Sequence, residues 1–128
     1  MSELQPFVGT DIEDIERWRK LLPELEGDLG KRLFFPEEHE YCRSYADPAP
    51  RYAGSWCAKE AVFKALSTHY KLLASDLKIL RDLEGRPFVD LSDARFSQDK
   101  PVIRISISHS NTSALAFALA LLPATEVV

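Results

Sequence analysis

The sequence predicts an α+β fold, with helices packed on a mainly antiparallel sheet. Three observations predict it. Residues 102–108 and 114–121 both alternate with period two. The polar run His109-Ser110-Asn111-Thr112 between them is short enough to join them as a hairpin. Upstream, apolar residues recur at helical spacing in two long segments, the more apolar of which is residues 51–67.

Each element has its own local reason. Phe7-Val8-Gly9 reads as a short strand that ends near Thr10-Asp11. A helix follows over about 12–22, where Ile12, Ile15, Trp18 and Leu22 form a stripe and Thr10 with Glu13 has the capping-box pattern; Pro23 ends it. Pro36-Glu37-Glu38 has the proline and acids of a first helical turn, for a helix reaching Tyr45. Asp47-Pro48-Ala49-Pro50 is a break before the helix over 51–67. Residues 76–80 and 88–91 are strands around the turn Asp82-Leu83-Glu84-Gly85. In 102–108 the isoleucines Ile103, Ile105 and Ile107 share one face. In 114–121 the alanines share one face and Leu115, Phe117, Leu119 and Leu121 the other, so a helix can approach the alanine side closely.

The chain has 128 residues, 45% hydrophobic and 28% charged, the composition of one soluble domain over 1–128. Such a chain builds one modest core and cannot easily enclose a large cofactor cleft, so a site shared between subunits is expected. A net charge of -4 argues against nucleic-acid binding. Cys42 and Cys57 lack metal-type spacing and read as buried thiols in a reducing compartment. The N-terminus shows no signal peptide and no apolar run spans a bilayer, the expectation being a cytoplasmic protein without membrane contact.

The helix over 51–67 is apolar on nearly every side. Tyr52, Trp56, Phe63 and Leu66 make a bulky face, and Ala53, Cys57, Ala61 and Ala65 a small one. It nevertheless carries Lys59, Glu60 and Lys64. Charges that leave water must be paired or bound to metal. One reading is an internal Glu60–Lys64 pair at i,i+4; the other is a functional site. Asp11 has two readings as well, a helix cap or a metal ligand. A cation such as Mg²⁺ takes one or two carboxylates and completes its shell with phosphate and water, which requires Asp11 and Glu60 to meet in space. His109, a lone loop histidine, indicates nothing unaided.

Together these segments resemble the holo-acyl-carrier-protein synthase type of 4'-phosphopantetheinyl transferase. Gly9-Thr10-Asp11-Ile12-Glu13-Asp14-Ile15-Glu16-Arg17 is similar to the family's G-x-D-I-x-x-x-x-R segment, and Trp56-Cys57-Ala58-Lys59-Glu60-Ala61-Val62-Phe63-Lys64-Ala65 to its W/F-x-x-K-E-A-x-x-K-A helix. Lys31-Arg32-Leu33-Phe34 with Glu37-Glu38, Gly85-Arg86-Pro87 and Ile105-Ser106-Ile107-Ser108-His109 resemble further family stretches, in family order along nearly the whole chain. The lysine–glutamate helix is specific; the others are weak singly.

The resemblance implies transfer of phosphopantetheine from coenzyme A to a serine of an acidic acyl or peptidyl carrier protein, with release of 3',5'-ADP. It implies Mg²⁺, or Mn²⁺ in the same place, on Asp11 and Glu60, with Lys64 on a phosphate oxygen and Lys59 on another or on a carboxylate. Glu60 or a water on the metal accepts the serine proton. Gly85, Arg86, Pro87 and His109 correspond to positions near the nucleotide end of coenzyme A, and Arg17 to a carrier-docking arginine. The family's small members resemble trimers with the cleft between subunits.

Two departures stand out. The family has an arginine before the helix aromatic where this chain has Ser55, and Arg51, one turn earlier, is its expected substitute. Ser67-Thr68-His69-Tyr70 replaces a Gly-Thr-Gly segment. Two rivals follow: a catalytically weak homologue acting as a carrier-protein-binding module, and a structural domain with a buried Lys–Glu pair.

Overall fold

The computed structural model describes residues 3–124. The chain runs through β1 (Leu4–Asp14), α1 (Ile15–Leu25), α2 (Asp28–Leu33), α3 (Pro36–Arg43), α4 (Ala49–Leu66), β2 (Ile79–Arg81), β3 (Pro87–Val89), β4 (Val102–His109) and β5 (Ser113–Pro123). The architecture is α+β. β1, β5 and β4 form an antiparallel sheet in that order, and β2 with β3 forms a separate two-stranded hairpin. No helix among the described residues is long and apolar enough to cross a membrane.

The alanine stripe of β5 does what its small side chains permit. Ala114, Ala116, Ala118 and Ala120 are fully buried, and α4 lies across the sheet on that side. Its path is diagonal. A Cβ added at Gly54 would meet Ile107 of β4 at 3.0 Å. One turn on, the Cys57 thiol donates to the Ala114 carbonyl of β5 at 3.3 Å. A further turn on, Ala61 lies so close to Gly9 of β1 that a Cβ there would sit 2.0 Å from the Ala61 carbonyl oxygen. The far end of α4 is thereby delivered onto β1.

The N-terminal boundaries differ from expectation. β1 runs on to Asp14, because every residue from Leu4 to Asp14 pairs with β5. Thr10 is therefore no helix cap; its hydroxyl donates to the Ala116 carbonyl at 3.0 Å. Asp14 caps α1 instead, accepting from the Glu16 amide at 3.2 Å. Pro23 sits inside α1, which continues to the buried Leu25. In the last turn a proline forfeits a single backbone bond, and burying Leu25 offsets that loss. α2, with no long apolar stripe, was not expected at all. Pro48 caps α4 and Pro50 lies in its first turn, where a missing N–H costs little.

Candidate active site

Register decides which β1 side chains face α4. Gly9, Asp11 and Glu13 pair with Ala118, Ala116 and Ala114 and so point inward with the alanines. Asp11 thus comes from within the strand, four residues before the first helical residue, Ile15, rather than from a strand–helix turn. On the facing helix, Lys64 donates from Nζ to the Thr10 carbonyl at 2.8 Å and lies 3.4 Å from Oδ1 of Asp11. The lysine is spoken for by β1, and no Glu60–Lys64 ion pair forms among the described residues.

Asp11 and Glu60 lie near enough for their charges to interact. Burial pushes the Glu60 carboxyl above its ordinary value, the negative charge of Asp11 pushes it further, and Lys64 opposes both. Oδ2 of Asp11 is buried without a hydrogen-bond partner among the described residues. A carboxylate oxygen left out of water with nothing to accept from is costly, and a cation is the simplest group to satisfy it. Glu13, which sequence reasoning missed, stands beside Asp11. Its carboxyl is raised mainly by burial, against the opposing effect of the Trp18 indole N–H that it accepts at 2.9 Å, and Asp11 raises it further. No group of three or more His, Cys, Asp or Glu residues among those described forms a complete metal cage. One or two carboxylates, with phosphate and water completing the shell, are instead a donor set that Mg²⁺ or Mn²⁺ accepts. A groove lined by Trp56, Glu60, Phe63, Leu73, Ala74 and Ser75 opens beside Glu60.

Lys59 takes the carboxylate and not a phosphate. Its side chain is 0% exposed, and Nζ donates to Oε1 of Glu38 at 2.6 Å and to the Leu77 carbonyl at 2.8 Å. Glu38 also accepts from the amides of Phe35 and Ile79 at 2.7 and 2.9 Å. This corrects the expectation of Lys59 as a cofactor-binding residue: its donors face a closed pocket of protein acceptors. Two residues C-terminal to a helix-starting proline, Glu38 carried a local signal as a first-turn acid, but nothing in the sequence tied it to Lys59.

The matching family model, described as the 4'-phosphopantetheinyl transferase superfamily, covers residues 7–120. The chain belongs to this family. Its type is that of the holo-acyl-carrier-protein synthases: it is 41% identical over 116 residues to the holo-[acyl-carrier-protein] synthase of Clostridium botulinum, covering 88% of this chain and 94% of that one. The Helicobacter pylori holo-[acyl-carrier-protein] synthase in complex with coenzyme A superposes with a TM-score of 0.75 at 28% identity, over 88% of this chain and 98% of that one. The apo structure from Chronobacterium ammoniagenes, with a TM-score of 0.78 at 22% identity over 95% of this chain and 100% of that one, shares the fold.

The remaining family-type positions lie elsewhere on the surface. Gly85 takes the positive φ of 84° that the turn requires, and Asp82 accepts from the Glu84 and Arg86 amides at 2.9 Å each. Arg86 and Pro87 line a groove against β4 with Arg104, Ile105 and Ser106. His109 is exposed at the end of β4. Arg17 is exposed on α1, 3.8 Å from Glu13. Arg51 stacks on the Tyr45 ring at 3.9 Å, while Ser55 turns inward, 3.9 Å from the Cys42 sulfur. Glu60 and Arg86 line different grooves of one chain.

Proposed function

We propose that this protein transfers the 4'-phosphopantetheine group of coenzyme A to a serine hydroxyl of an apo acyl or peptidyl carrier protein, releasing 3',5'-ADP, in a reaction that requires Mg²⁺ or Mn²⁺. The serine oxygen forms the new bond to the β-phosphorus, and the bond from that phosphorus to the bridging oxygen of the pyrophosphate breaks. The observation that carries this reading is the buried Oδ2 of Asp11, unpartnered among the described residues, with its charge felt by the Glu60 carboxyl. A divalent cation there supplies charge neutralisation for the pyrophosphate. Asp11 and Glu60 would hold it, and Lys64, anchored by the Thr10 carbonyl, would present its remaining donors to a phosphate oxygen. Arg17, exposed at the surface of α1, would steer an acidic carrier to the cleft.

The working form proposed is a homotrimer. β1, β5 and β4 turn one face to α4, and on the other Leu4, Val8, Ile12, Val102, Leu115 and Phe117 are exposed, between 42% and 65%. That face is large, apolar and shared by all three strands, as an obligate interface between copies requires. Docking copies on it would let the Arg86–Pro87 groove and His109 of one copy complete the Asp11–Glu60 site of another, with Gly85 allowing the turn. A cytoplasmic setting fits the two buried thiols.

The test is intact-mass analysis of an apo carrier protein after incubation with this protein, coenzyme A and Mg²⁺. A phosphopantetheine mass gain on the carrier serine is expected. Carrier binding without any gain would favour the non-catalytic carrier-binding module.

A further inference from the structure

Lys64 has two claims on it at the Asp11–Glu60 site. Among the described residues it is the one cation within ion-pair distance of Asp11, 3.4 Å from Oδ1. Its Nζ also donates to the Thr10 carbonyl at 2.8 Å, so β1 engages two of the three ammonium protons and leaves one free. Strand and helix are already in contact beneath it: a Cβ on Gly9 would come within 2.9 Å of the Lys64 Cβ. The α4 backbone is therefore fixed against β1, while the lysine side chain, 50% exposed, is free to rotate. Of its two contacts the one to Asp11 is the weaker, since 3.4 Å is long for a charge-assisted hydrogen bond.

That placement sets up a conflict of charge. Asp11 turns Oδ1 to Lys64 and keeps Oδ2 buried without a partner among the described residues. Glu60 lies one turn before Lys64 on the same side of α4. A divalent cation on Asp11 and Glu60 would thus share its carboxylates with a neighbouring ammonium. With the Asp11 side chain only 15% exposed, water screens that repulsion poorly. A pyrophosphate resolves the conflict, because it gives the ammonium an anion of its own. Lys64 then loses one long contact to Asp11 and gains a charge-assisted hydrogen bond to phosphate, by side-chain rotation alone.

We infer that Lys64 exchanges its Asp11 contact for a phosphate of the donor, and that this exchange couples metal uptake to donor binding. The inference rests on the proposed metal and donor. Lys64 opposes a cation that comes alone and stops opposing it once the donor is in place. Coupling of this kind is reciprocal, so the metal raises the affinity for coenzyme A by the same factor. A lysine that stayed on β1 would weaken metal binding equally with and without the donor and would leave that factor untouched. The size of the factor, and not the affinity for either ligand, therefore distinguishes an exchanging lysine from a fixed one.

The test measures the Mn²⁺ affinity of the protein alone by electron paramagnetic resonance, and coenzyme A affinity with and without saturating Mn²⁺ by calorimetry. In the wild type Mn²⁺ should tighten coenzyme A binding by about ten- to hundredfold. Lys64→Met should bind Mn²⁺ alone roughly tenfold more tightly than wild type and should show a coupling factor several times smaller. Lys64→Gln, which loses the charge and keeps a donor for the Thr10 carbonyl, should do the same, and it covers the case of a Met variant that does not fold. Lys64→Arg, which keeps the charge, should resemble wild type. Neutral variants that melt like wild type and keep both its Mn²⁺ affinity and its factor overturn the inference, as does tighter Mn²⁺ binding with an unchanged factor. A wild type in which the two ligands bind independently also overturns it and leaves the carboxylate assignment standing. A wild type that binds no Mn²⁺ in either condition overturns the inference and the proposed metal together.

Discussion

Nζ of Lys59 lies 2.6 Å from Oε1 of Glu38, with both side chains out of reach of solvent. The pair ties α4 to the first turn of α3 and, through the Leu77 carbonyl and the Ile79 amide, to the segment leading into β2. Removing one partner strands the other charge. Lys59→Met should therefore cost about 3–5 kcal/mol, read from denaturant unfolding, and adding Glu38→Leu should recover most of it. A single variant as stable as wild type would show that the pair contributes nothing.

Gly9 sets the distance between β1 and α4. In Gly9→Ala the new methyl would need the space of the Ala61 carbonyl oxygen, so the strand must move away from the helix. A loss of about 1–3 kcal/mol is expected. Transfer should fall by more than stability does, because Asp11 rides on the displaced strand. Unfolding curves and kcat/KM on the same samples separate the two effects.

Burial pushes the Cys42 thiol from 9.0 up to about 12. The folded protein then keeps its proton while the unfolded chain ionises. That contribution to stability is complete below pH 9 and is lost as pH rises toward 12. Wild type should lose stability across this window faster than Cys42→Ala. Iodoacetamide at pH 8 should leave Cys42 unmodified until the protein is unfolded.

Much of this was legible in the sequence, for reasons that particular residues make plain. Alternation along β5 identified the alanine face, and the all-round apolarity of α4 marked its charges as needing partners. Period and composition are local properties, and the sequence displays them. The partners were not legible: Lys59 meets Glu38, 21 positions away, and Lys64 meets Thr10 and Asp11, more than 50 positions away. The choice between pairing Lys64 with Glu60 or with β1 depends on where α4 crosses the sheet, and that depends on close packing at Gly9 and Gly54. Thr10 was misread as a cap because a T-x-x-E pattern looks the same in a strand that continues as in one that stops.

The outer sheet face gives a prediction about assembly. Phe117 is 45% exposed in the single chain and sits on the middle strand. If the proposed trimer forms on this face, Phe117→Lys should shift it to monomer in sedimentation velocity and lower transfer with it, because each proposed site would draw on two copies. A monomeric variant with undiminished transfer would show that one copy suffices.

Direct titration of Mn²⁺ in the presence of coenzyme A, followed by electron paramagnetic resonance, bears most closely on the meeting of Asp11 and Glu60. Wild type should take up one ion per chain, while Asp11→Asn and Glu60→Gln, still folded by circular dichroism, should each lose it. Uptake by both variants with wild-type affinity would contradict the assignment of these carboxylates to the metal.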